Sequence, residues 1–166
     1  MDQPVFYYDL GVPECYLAAE RSVHIQPVPE FEPLLAAHLG IAAVEPDREA
    51  IERRAAELGI QPVRWPASWP PDTGTAMLAA TYAKRIGRAV VFSLAAFRQA
   101  FAAGRDLEDI DTVLLAGAAS EMHPTALLKG IELRSTVEAL AEATERARRD
   151  GVTALPAVVE AAGSVR

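Results

Sequence analysis

The chain has 166 residues, of which 51% are hydrophobic, with a formal net charge of −7 and one cysteine. That length holds one domain with a real core and room for an inserted lobe, and that apolar content excludes a disordered chain. An acidic balance without a basic cluster excludes nucleic acid as an expected partner, and no apolar run reaches the roughly 18–20 residues of a bilayer span, so no membrane partner is expected either.

The first ten residues carry acids where a signal peptide would carry a basic region, so none is expected. A lone cysteine closes no intrachain disulfide, and a reducing cytoplasm is the expected compartment. There is no internal repeat, and charges spread along helix faces at i, i+4 spacing.

Residues 5–10 are rich in Val, Phe and Tyr, with no polar side chain until Asp9. That pattern predicts a strand buried on both faces. Gly11 permits a turn, and Pro13 suits a first helical position, where its missing N–H costs nothing. Val12, Cys15, Tyr16, Ala19 and Val23 recur at helical spacing and predict an inward stripe, with Glu20 and Arg21 facing out. Residues 23–28 alternate weakly and predict a second strand, parallel to the first across a βαβ crossover. Pro27, Pro29 and Pro33 keep that region from being central for long. A short helix is expected over 31–39, before Gly40.

Residues 46–58 predict an amphipathic helix that starts at Pro46, turns Ile51, Ala55 and Leu58 inward and stops at Gly59. Residues 61–72 hold Pro62, Pro66, Pro70 and Pro71 with Trp65 and Trp69, an extended loop clamped to the core by tryptophan. Helices are expected over 73–86 and 88–103. Asp106, with Asp109 three residues on, reads as a capping box for the next helix. His123 and Pro124 open a short helix through Leu128. Ser135 and Glu138 read as a further capping box, followed by a helix over 136–149 with Glu142–Arg146 and Glu145–Arg149 pairs. Gly151 stops it, and residues 151–159 form a β segment around Pro156, where a proline fits a strand start or an edge. The order is β-α-β, a long helical stretch, then a helix and a β segment. That order predicts an α/β fold, a small central sheet with an inserted all-helical lobe.

Several stretches together carry a likeness. They are Phe6-Tyr7-Tyr8-Asp9-Leu10, then Pro13, Cys15, Tyr16, Leu17, Ala18, Glu20 and Arg21. Further along come Trp65-Pro66, Trp69-Pro70, Asp72-Thr73 and Ala76-Met77, then residues 100–107, then Gly151-Val152 and Leu155-Pro156. In order and spacing they resemble DsbA-like thioredoxin-fold proteins, nearest the 2-hydroxychromene-2-carboxylate isomerases and kappa-class glutathione transferases. The resemblance implies a single thioredoxin-like domain over 1–166, with residues 1–30 and 150–166 as the thioredoxin part and 40–130 as the helical insertion. It implies a cis bond before Pro156, beside the start of the first helix. It also implies a cleft for glutathione or another low-molecular-weight thiol, in which Leu155 backbone groups pair with the thiol peptide and Asp72 contacts its polar end.

In that family the reactive residue opens the first helix, as Cys in redox members and Ser in isomerases and transferases. A thiolate or polarised sulfur there is stabilised by the helix dipole and free N–H groups. Here that position falls on Val12, which offers neither thiol nor hydroxyl. Cys15 falls on the second cysteine of the Cys-x-x-Cys pattern and is the only redox-capable atom, hence the candidate catalytic residue. Its other reading is a small buried apolar side chain. Asp72 stands where the family has Asn and also reads as a helix cap with Thr73. The final strand and the turn after Pro156 are expected to be missing or cut short. His24, His38 and His123 share no metal-ligand spacing, and no metal is expected.

Two function classes follow. One is a thiol-dependent isomerase or transferase, or a disulfide oxidoreductase. The other is a non-catalytic thioredoxin-fold binding module that kept the groove and lost the nucleophile. The expected partners are a small-molecule or thiol substrate and, in a homodimer, a second copy of the chain.

Overall fold

The computed structural model describes residues 3–160 and 165–166. The apolar run at the N-terminus becomes β1 (Val5–Tyr8), flanked by β2 (Glu30–Pro33) and β3 (Ala157–Val159) in the order β2-β1-β3. β1 runs parallel to β2, with Val5 opposite Glu30 and Tyr8 opposite Pro33, and antiparallel to β3, with Val5 opposite Val159. Because strand side chains alternate, β1 serves two cores. Phe6 and Tyr8 face one, where they stack on each other and meet Phe31 edge-on. Val5 and Tyr7 face the other, with Ala143, Ala147 and Val152. A strand without polar alternation is what two covered faces require.

The crossover between β1 and β2 is α1 (Pro13–Ser22), with Pro13 in its first turn and Cys15, Tyr16 and Ala19 buried. The expected strand over 23–28 is corrected. Those residues form turns with Ile25 49% exposed, and the strand lies two residues beyond their end, at Glu30–Pro33. Two glutamates and a proline hide β2 from any hydrophobic pattern. The sheet tolerates Pro33 because β2 is an edge strand, and the glutamates are met by cations from elsewhere in the chain. Lys84 reaches Glu30 and Glu32 at 2.8 Å each, and Arg146 reaches them at 3.3 and 2.8 Å. The expected helix over 31–39 shrinks to a 3-10 turn at Ala36–Leu39.

α2 (Arg48–Glu57) starts at Asp47, whose side chain accepts from the Ala50 N–H at 3.1 Å, and not at Pro46. Ile51 and Ala55 face inward as expected, while Leu58 lies outside the helix and is 42% exposed. The proline-rich loop is held by Trp65, which packs edge-on against Phe101, donates to Glu52 at 2.8 Å and lies under the Arg48 guanidinium. α3 (Gly74–Arg85) and α4 (Ala89–Phe101) follow the expected spans closely. α5 (Ile110–Ala119) is capped by Asp109, whereas Asp106 accepts from the Ser68 N–H and pins the proline-rich loop.

α6 (Pro124–Glu132) is capped by His123 and runs past Leu128. α7 (Arg134–Arg149) has no capping box, because Ser135 and Thr136 lie inside its first turn and accept from Arg85. The expected Glu142–Arg146 and Glu145–Arg149 pairs are replaced by Arg146 on β2 and by Glu145 with Arg148. Tyr7 donates to Asp150 at 2.7 Å and ties β1 to the end of α7. Beyond β3, Val165 bridges Val159 antiparallel, and Val158 and Arg166 exchange backbone hydrogen bonds of 3.2 and 2.9 Å. A stub of a fourth strand thus lies beside β3, and residues 161–164, where the expected turn after Pro156 falls, lie outside the described residues. Among the described residues no helix is long and apolar enough to cross a membrane.

Candidate functional site

The site begins where β1 ends. Asp9 closes a tight turn by accepting from the Gly11 N–H at 2.9 Å, and the Val12 N–H returns to the Asp9 carbonyl at 3.1 Å. The turn lies so close to residues 71–73 that a Cβ on Gly11 would meet Thr73 Cγ2 at 2.7 Å and Pro71 Cγ at 3.0 Å. Only glycine allows that approach.

Asp9 is the joint of the region. Its Oδ1 also accepts from the Thr73 hydroxyl at 2.9 Å, and its Oδ2 from the Ala36 N–H at 3.0 Å. One carboxyl therefore holds together the end of β1, the segment after β2 and the start of α3. Burial pushes it above the usual carboxylate range, against these hydrogen bonds, which pull it down.

These segments enclose a groove of about 640 Å³ at the N-terminus of α1. Val12 forms its floor, with extended backbone and no side-chain cap for the helix. Trp69, Pro71, Asp72 and Thr73 line the groove together with Leu35, the irregular segment 41–47, Ala154 and Leu155. Asp72 is exposed and accepts from the Gly74 N–H at 3.0 Å, so it caps the start of α3 while facing the groove. The bond between Leu155 and Pro156 is cis. Among the described residues neither the N–H nor the C=O of Leu155 has a hydrogen-bond partner.

The structure thus brings Val12, Asp72 and Leu155 to one cavity. Pro156 does not line that cavity. Neither does Cys15. It lies one turn inside α1, 0% exposed, in the core shared with Phe97 and Phe101. Burial pushes its thiol well above the ordinary range, and the charges of Asp9 and Glu14 add to the effect. A thiolate there would lack solvent and face acids, the reverse of what activates a cysteine.

Sequence reasoning missed the role of Asp9 and the 41–47 wall, whereas Glu14 reads in the sequence as an acid that disfavours a thiolate at Cys15. Asp9 had a signal, as the one carboxylate ending an apolar run two residues before a glycine, which is the pattern of an Asx turn. The wall had none, because it is irregular chain placed by what it packs against.

No family model matches the chain, and no curated protein matches it in sequence. Solved structures do match. A 2-hydroxychromene-2-carboxylate isomerase superposes with a TM-score of 0.83 at 16% identity, over 98% of this chain and 87% of that one. A probable DsbA oxidoreductase from Streptomyces coelicolor gives 0.78 at 14%, over 98% and 82%. The cytosolic disulfide reductase DsbM from Pseudomonas aeruginosa gives 0.67 at 15%, over 98% and 87%. With so few residues in common, what is shared is the backbone: the chain has the thioredoxin-like α/β fold with a helical insert found in DsbA-like proteins and in 2-hydroxychromene-2-carboxylate isomerase.

Proposed function

We propose that this protein is a non-catalytic thioredoxin-fold binding module whose groove at the start of α1 holds a ligand without reacting with it. The carrying observation is the pairing of Val12 at the helix start with a Cys15 that is 0% exposed. A ligand atom over the N-terminus of α1 meets two methyl groups and no hydroxyl or thiol. In support, the groove's volume of about 640 Å³ lies within the roughly 300–1,000 Å³ of ligand pockets. An extended segment passing Leu155 finds an N–H and a C=O that have no partner among the described residues, the arrangement that strand addition uses.

The enzyme reading, a thiol-dependent isomerase, transferase or disulfide oxidoreductase using glutathione or a related thiol, is supported by likeness of fold, and fold does not carry chemistry with it.

Thiol reactivity distinguishes the two. In the binding-module reading Cys15 stays unreactive toward a disulfide probe in the native protein and reacts only after denaturation, and the protein does not reduce insulin. Val12→Cys places a thiol at the groove, three residues before Cys15, and is expected to create measurable insulin reduction. A native Cys15 that titrates below free cysteine returns the protein to the enzyme class. A folded Val12→Cys protein without activity removes the thioredoxin-type groove from the account.

A further inference from the structure

Resting on the binding-module reading, we infer that the groove accepts a short basic peptide segment, with a Lys or Arg flanked by apolar residues, and disfavours an anionic thiol peptide such as glutathione. The described wall carries four exposed carboxyl groups, from Glu14, Glu45, Asp47 and Asp72, besides the buried and fully hydrogen-bonded Asp9, and no Lys, Arg or His. The helix starts that would attract an anion are already served from within the chain. Glu14 sits in the first turn of α1, Asp47 caps α2 and Asp72 caps the start of α3. Each helix start offers on the order of half a positive charge, and each has its own full negative charge in place.

Among the described residues Glu45 is the one wall carboxylate with a cationic partner, Arg48 at 3.1 Å. The remaining surplus is negative. Glutathione carries two carboxylates and one ammonium, so it brings like charge to a groove that offers it no cation. A Lys or Arg brings the missing counter-charge. The apolar part of such a segment has surfaces to meet in Val12, Ile41, Trp69 and Leu155. The N–H and C=O of Leu155, without partners among the described residues, favour a peptide backbone over a small amine, since an extended chain can engage both.

The test titrates the isotope-labelled full chain with three capped pentapeptides, identical except for lysine, norleucine or glutamate at the centre, and with glutathione. The lysine peptide is expected to shift the backbone resonances of Val12, Asp72 and Leu155, and to bind better than the norleucine peptide, with the glutamate peptide and glutathione weakest. E14Q should weaken the lysine peptide about threefold, and E14Q with D72N about tenfold, as for partly exposed charge pairs. Added salt should erase most of the preference. Both substitutions keep side-chain shape, and D72N keeps an oxygen for the Gly74 N–H. Equal binding of the lysine and norleucine peptides overturns the charge inference and leaves the binding-module reading standing. Tighter binding of glutathione or the glutamate peptide also overturns it. If none of the four perturbs the groove, both the inference and the reading beneath it fall.

Discussion

Residue 12 and residue 15 are one helical turn apart and have opposite fates. Val12 ends the turn out of β1 and faces the groove. Cys15 points along the inward stripe of α1 into a core already filled by aromatic rings. A thiol in that environment is a small apolar filler, and desolvation keeps it protonated. Gly11 matters for a different reason, the 2.7 Å that a Cβ would leave to Thr73 Cγ2. Gly11→Ala must therefore push β1 away from the start of α3. The expected cost is about 1–3 kcal/mol in urea unfolding, with the resonances of Thr73 and Val12 displaced. An unchanged midpoint and spectrum would mean that the approach is not tight in solution.

At the scale of elements, β2 depends most on its neighbours. Its inward glutamates are held by Lys84 from α3 and Arg146 from α7, so one charge cluster joins two helices to the sheet edge. Burial pushes the Glu30 carboxyl up, but hydrogen bonds and charge from Lys84 and Arg146 outweigh it and hold the group below its ordinary range. Because the folded value is lowered, the stability Glu30 contributes is present above the ordinary carboxylate pKa and lost as pH falls through the folded value. Lys84→Met is expected to cost about 1–2 kcal/mol at neutral pH. The gap from the unaltered protein should narrow on acidification, as Glu30 is protonated in both. Urea unfolding at neutral and acidic pH reads this directly, and a gap that stays constant would show that the cluster is not the cause.

For the whole molecule, the fold meets at Asp9, where three distant stretches of chain share one buried carboxyl. Its folded pKa is raised by burial, so the sign is opposite to that of Glu30. The stability it controls is greatest below the ordinary aspartate value and falls as pH rises from about 4 toward the folded value. Asp9→Asn is expected to remove that fall, and to weaken the link to the Ala36 N–H, where an amide nitrogen opposes another donor. Stability measured against pH for both proteins should differ in slope above about pH 4, and parallel curves would overturn the assignment. The sequence was enough for β1, α1 and the helical stretches, because apolar periodicity, Pro at helix starts and Gly at helix ends are local properties. It was enough, too, to mark Val12, Asp72 and Leu155 as neighbours, through the order and spacing that carry the thioredoxin-fold likeness. It did not reveal β2, whose glutamates become strand residues only when Lys84 and Arg146 arrive from far along the chain. It left open whether Cys15 was a reactive thiol or a core side chain, and left the sign of the groove's charge unread. Burial and charge at a site are sums over segments that only tertiary packing brings together.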